Sequence, residues 1–145
     1  MKPLLFLASV FLVSAYSYAQ GIPENRTVIR DDLIYHQETN ELVTGTVEKF
    51  YDNGELEERT TYKDGKREGL WEYFRRNGQP MFRQNYKDGK PEGFWEWFNE
   101  DGRLQQRENY KDGELDGLRE LFDRNGQLRR SVMYRSGEQV SDENF

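Results

Sequence analysis

The sequence predicts an all-β fold: an antiparallel β-meander of tandem 24-residue two-stranded hairpin repeats forming an elongated twisted sheet. Three observations predict it. First, five columns of residues keep one 24-residue step, which marks stacked supersecondary units. Gly45, Gly69, Gly93 and Gly117 form one column, Phe50, Phe74, Phe98 and Phe122 a second, and Tyr62, Tyr86, Tyr110 and Tyr134 a third. The turn glycines Gly54, Gly78, Gly102, Gly126 and Gly65, Gly89, Gly113, Gly137 are the other two. Second, each repeat carries two hairpin signals, mostly Asn-Gly or Asp-Gly, which suit turns with positive φ. Third, the runs between turns are strand-length and rich in aromatic residues, and no alanine follows Ala19, which disfavours helices.

The elements follow in chain order. Met1-Lys2, the ten-residue apolar core Leu4 to Val13 and the small residues Ser17 and Ala19 read as a secretory signal peptide over residues 1–19. The apolar run is too short to span a bilayer, so no transmembrane segment is expected once the signal is removed. Residues 20–31 are expected as a linker. Strands are expected near 32–37, 42–51, 55–62, 67–74, 79–86, 91–98, 103–110, 115–122 and 127–134. They make a repeat domain over 32–137, with repeats near 45–62, 69–86, 93–110 and 117–134. Residues 138–145 are expected as a tail, with room for a frayed last strand after Gly137.

The register follows from the turns. A two-residue turn at Asn77-Gly78 sets Glu72 against Arg83 and Gly69 against Tyr86. The equivalent turns pair Glu48 with Arg59, Gly45 with Tyr62, Glu96 with Arg107, Gly93 with Tyr110 and Gly117 with Tyr134, while Glu120 meets Ser131. Opposite charges across strands stabilise by about 0.2–1 kcal/mol each. A tyrosine ring over a cross-strand glycine covers bare backbone. The two-residue turn is therefore expected at the Asn/Asp-Gly sites. In "KDGKREG" the second glycine also fits a bulge.

Composition narrows function. Removing Lys2 from the 21 basic residues leaves 20 against 27 acidic ones, a net charge of about −7, which disfavours nucleic acid as a partner. The chain has no cysteine and one histidine, His36, so thiolate metal sites, a cysteine nucleophile and a histidine-based triad or metal site are not expected.

The pattern Tyr-x-x-Gly-x-x-x-Gly-x-Trp-x-x-(Tyr/Trp)-Phe-x-x-x-Gly resembles the MORN-repeat variant. "LVTGTVEKFYDNGELEERTTYKDGKREG" resembles the opening of the bacterial YwqK-type family, which carries a toxin–antitoxin antitoxin label. The resemblance covers roughly residues 32–137. It implies a β-hairpin repeat scaffold that binds something, and it brings neither catalytic residues nor a cofactor.

Candidate sites divide into wiring and surface. The column Glu48, Glu72, Glu96, Glu120 places equivalent carboxylates about 9.5 Å apart, at the limit of an inverting glycosidase. Arg59, Arg83 and Arg107 are expected to pair three of them, which lowers a carboxyl pKa and opposes general-acid work. These residues are read as structural, with the glycine and tyrosine columns, and no enzyme activity is expected. Lys63, Lys66, Lys87, Lys90 and Lys111 read as a solvated edge that resists sheet-to-sheet pairing. Trp71, Tyr73, Trp95 and Trp97 occur only in the middle repeats, where repeat one has Val47 and Lys49 and repeat four has Arg119 and Leu121. They are either packing or a binding platform. The leading expectation is an exported, periplasmic or secreted, non-enzymatic scaffold that binds a protein partner. The alternatives are a module for a glycan or envelope component using the Trp/Tyr cluster, and an antitoxin- or immunity-type partner of an exported toxin.

Overall fold

The computed structural model describes residues 21–145. The expected signal peptide lies outside the described residues. Twelve strands follow: β1 (Ile22–Pro23), β2 (Thr27–Arg30), β3 (Leu33–His36), β4 (Gly45–Phe50), β5 (Leu56–Lys63), β6 (Lys66–Phe74), β7 (Pro80–Lys87), β8 (Lys90–Phe98), β9 (Leu104–Lys111), β10 (Glu114–Phe122), β11 (Leu128–Arg135) and β12 (Glu138–Asn144). Ten of them form one sheet in the order β1-β4-β5-β6-β7-β8-β9-β10-β11-β12. Every pair is antiparallel except β1 with β4. β2 and β3 make a separate hairpin. Close contact is concentrated between neighbouring strands, as in a linear array of repeats.

Two expected boundaries change. The span expected as a linker carries β1, a 3₁₀ turn at Glu24–Arg26 and β2. Val28 and Ile29 pair with Tyr35 and Ile34 across Asp31-Asp32, whose φ angles are 50° and 61°. That turn has positive φ without a glycine, so it lacks the usual sequence signal. The expected tail is β12, paired along β11.

The turn chemistry differs from the expectation at Asn53-Gly54, Asn77-Gly78, Asp101-Gly102 and Asn125-Gly126, while the bulge that fitted the second glycine of "KDGKREG" is present. Asn77 does not adopt positive φ; only Gly78 does, at 79°. Gly78 N–H donates to the Arg75 carbonyl at 2.8 Å, and Arg75 N–H to the Gln79 carbonyl at 2.8 Å. This is a three-residue loop ending in a left-handed glycine. Phe74 then opposes Pro80, and the register shifts between Tyr73 and Phe74. That second irregularity restores the pairing of Glu72 with Arg83 and Gly69 with Tyr86. Two opposite displacements cancel, so the register matches that of a two-residue turn although the turn differs.

The two-residue turns are at Asp64-Gly65, Asp88-Gly89, Asp112-Gly113 and Ser136-Gly137, where both residues have positive φ. Lys63 opposes Lys66, and Lys87 opposes Lys90. Each of the first three is followed by a register shift spanning the second glycine of its repeat. Gly69, Gly93 and Gly117 sit there with φ of 82°, 78° and 118°. A Cβ at Gly69 would meet nothing within 4 Å, and one at Gly93 would first meet the Asn85 Cβ at 3.9 Å. The glycine column therefore serves left-handed backbone at a bulge, and the tyrosine opposite does not fill the Cβ position.

The turns also stack. Gly89 N–H donates to Arg67 O, Gly113 to Pro91 O and Gly137 to Leu115 O, each at 2.9 Å, in the preceding turn region. The Asp88 N–H is capped by the Glu68 carboxylate at 2.8 Å, and Asp112 N–H by Glu92 at 2.9 Å. At the opposite edge, Tyr51 OH donates to Phe74 O at 2.7 Å, and Arg75 Nη2 donates to Phe98 O at 2.8 Å.

Little apolar surface is fully buried. Ile22, Ile34, Val43 and Val47 cluster under the N-terminal hairpin against Tyr62, and Val132 is the other buried apolar residue among the described residues. Thr60, Glu72, Gln84 and Glu108 are buried polar residues.

Candidate functional site

Direct opposition across the strands sorts side chains into rows. One face carries a charge ladder that crosses the sheet as Glu48, Arg59, Glu72, Arg83, Glu96, Arg107 and Glu120. Arg59 reaches Glu48 at 2.9 Å and Glu72 at 3.6 Å; Arg83 reaches Glu72 at 3.1 Å. Arg107 reaches Glu96 at 3.0 Å and Glu120 at 3.9 Å. The glutamate column is thus occupied by ion pairs, and its members do not face one another.

The other face holds Trp71, Tyr73, Trp95 and Trp97 together. Its central row reads Val47, Thr60, Trp71, Gln84, Trp95, Glu108, Arg119, Val132. A second row beside it runs Glu58, Tyr73, Phe82, Trp97, Gln106. The Trp71 and Phe82 rings meet edge to face at 4.7 Å, and Tyr73 stacks on Phe82 at 5.6 Å. Trp95 stacks on Trp97 at 4.6 Å and tilts against Tyr110 at 5.4 Å. Such pairs add about 0.5–1.5 kcal/mol beyond area burial. The Arg67 guanidinium lies over Trp71 at 4.8 Å and over Tyr86 at 5.3 Å. Arg67 also lines a cleft of about 470 Å³ between the N-terminal hairpin and the sheet, with Val28, Ile29, Ile34 and Thr60.

Carboxylates anchor the rings. Trp71 Nε1 donates to Glu58 Oε1 at 2.8 Å, and Tyr73 OH to Glu57 Oε1 at 2.8 Å. Tyr110 OH donates to Glu108 Oε2 at 2.9 Å. The bond to Glu57, and then burial, holds the Tyr73 phenol well above its ordinary pKa. Burial, and then the bond to Glu108, does the same for Tyr110.

Gln84 is the residue that sequence reasoning missed. It belongs to the column Thr60, Gln84, Glu108, Val132, which keeps the 24-residue step but not residue type. All four are buried, and Gln84 lies between Trp71 and Trp95 on the adjacent strands. Thr60 donates to Glu58 at 3.1 Å, and Glu108 accepts from Gln106 and pairs with Arg119 at 3.2 Å. Gln84, 1% exposed, has no hydrogen-bond partner for Oε1 or Nε2. Trp95 Nε1, on the next strand, has none either. An unpartnered buried polar group costs about 1–3 kcal/mol. The cost is concentrated where the two indole columns flank the sheet's most buried amide.

A comparison with curated proteins gives no match. Among solved structures, the chain is similar to the crystal structure of TarM at 13% identity and a TM-score of 0.44, covering 81% of this chain and 21% of that one. The chain thus spans about a fifth of that structure's length. The MORN repeat variant family model matches residues 43–64, 67–88, 91–112 and 115–136, most of the described chain and in the register of its hairpins. The chain belongs to the MORN-repeat-variant family.

Proposed function

We propose that the chain is an exported, non-catalytic β-repeat scaffold that holds a protein partner against the face bearing Trp71, Tyr73, Trp95 and Trp97. Repeats of this family are in general binding modules for proteins or membranes. One observation carries the reading: the aromatic cluster is confined to the two central repeats, on a sheet whose strands pack mainly on their neighbours. Aromatic clusters at the centre of a patch are the usual anchors of protein interfaces. The glutamates that resemble catalytic carboxylates are tied to arginines. Export is supported by the charge and apolar pattern of residues 1–19.

The test is photo-crosslinking of the tagged protein in its own cells, beside a Trp97→Ala variant of matched stability. A protein crosslink that is lost in the variant is expected. A crosslink unchanged by Trp97→Ala would move the interface off this face. N-terminal sequencing of the extracytoplasmic fraction is expected to begin at Gln20, and a chain retained in the cytoplasm with Met1 would refute export.

A further inference from the structure

We propose that the partner segment is proline-rich, in the polyproline II conformation and flanked by basic residues, laid across β6 to β9 at right angles to the strands. This rests on the protein-binding reading. Trp71 and Trp95 both lie directly opposite Gln84, one on each side. Tyr73 and Trp97 both lie opposite Phe82. Each pair is therefore two strand spacings apart, about 9.5 Å. A polyproline II helix presents the same side every three residues, about 9.3 Å. Residues i and i+3 of such a ligand fall on successive rings in both rows. The same-side repeat of an extended strand is about 6.8 Å and does not fit.

Hydrogen bonding separates this ligand from an α-helix. Polyproline II has no internal hydrogen bonds, so its carbonyls are free to accept. An α-helix leaves free carbonyls only at its C-terminal end. Two donors beneath the centre of the face, Gln84 Nε2 and Trp95 Nε1, are buried and have no partner within the chain. Because both are buried, the ligand engages them as the flanking indoles part. Proline, which has no N–H, asks for no acceptor in return. Charge selects the flanks. Glu58 sits beside Trp71 and accepts its N–H, and among the described residues no ion pair joins Glu58 to an arginine or lysine. Glu24 lines the adjoining cleft, and the chain as a whole is acidic. Basic residues flanking the proline run are complementary to this acidic edge beside Trp71.

Fluorescence anisotropy of the full chain tests the proposal, using a labelled peptide of about ten prolines with two lysines at each end. A Gly/Ser peptide of equal length and charge and a β-1,4-linked hexasaccharide are the comparison probes. Saturable binding at least about tenfold tighter than the Gly/Ser peptide is expected, weakening as salt rises. Trp95→Phe keeps a ring and removes the indole N–H, and Gln84→Leu removes the amide; each is expected to weaken binding about tenfold without lowering the melting temperature. Equal binding of the Gly/Ser peptide, no binding of the proline peptide, or its displacement by the hexasaccharide would overturn the proposal. If the proline peptide fails while the Trp97-dependent protein crosslink persists, only the ligand class is wrong. If the crosslink also fails, the protein-binding reading falls with it.

Discussion

Gln84 sets two requirements against each other within one side chain. Its amide is buried without a partner, so Gln84→Leu removes a desolvation cost at nearly constant volume. The variant should be more stable by about 1 kcal/mol, read as a higher urea midpoint with unchanged slope. A loss of stability would mean that the amide has a partner in solution. Tyr73 and Tyr110 make a pH prediction. Both phenols are held protonated in the folded state by carboxylate acceptors and burial. In the unfolded chain a phenol ionises near its ordinary pKa of about 10. Their contribution is therefore complete below that pH and is lost as pH rises above it. Urea midpoints should fall above about pH 10. A Tyr73→Phe/Tyr110→Phe variant should start lower at neutral pH, having lost two hydrogen bonds, and decline less steeply. Parallel curves for the two proteins would refute the assignment.

At the scale of the element, the glycines separate backbone strain from packing. Gly93→Ala adds a Cβ with no close contact, so only left-handed backbone is penalised, by about 1–2 kcal/mol. Gly117→Ala meets Asn109 Nδ2 at 2.8 Å and its Cβ at 3.0 Å, and disturbs the bond from Asn109 to the Asp116 carbonyl. It should cost about 1 kcal/mol more. Gly65→Ala, in a buried turn, meets Leu42 Cδ2 at 2.6 Å and Ile34 O at 3.2 Å, and should be worst, at about 2–4 kcal/mol. Urea midpoints in any other order would contradict this. The same elements show what was legible in the sequence. The strands of the four repeats and their register were, because identical residues recur at one step and Glu–Arg opposition discriminates between registers; β1 and β2, which precede the repeats, were not. The turn types were not. Asn-Gly and Asp-Gly read alike, yet Asn77 keeps negative φ while Asp64 and Asp88 do not. The difference lies in paired bulges that cancel in the register. The ring cluster was legible as aromatic residues at equal steps. Its centre was not, because Thr60, Gln84, Glu108 and Val132 share a position without sharing a chemistry.

Over the whole molecule, stability should grade along the array. Each repeat holds its neighbours through ladder bonds, stacked turns and cross-strand pairs, so the free energy is close to a sum of nearest-neighbour terms. The ends of that array differ. At the N-terminal end Ile22, Ile34, Val43 and Val47 close a buried cluster, and Ile34 and Val43 are wired to the first stacked turn through Gly65. At the C-terminal end every residue of β12 is exposed, and Arg130 holds it through Asp142 at 2.5 Å. Native-state hydrogen exchange should therefore find β12 amides opening first and those of β5 to β8 last, with the N-terminal hairpin nearer the interior than the C-terminal edge. Ile34→Ala should remove about 2–4 kcal/mol and lower protection in β3 and β4 before it reaches β9. Deleting residues 138–145 should leave protection in β4 to β8 nearly unchanged, because no packed cluster spans from β12 to those strands. If Ile34→Ala instead lowered every strand equally, or the deletion unprotected β6, the sheet would be one cooperative unit. The central aromatic face would then owe its order to the ends and not to its own repeats.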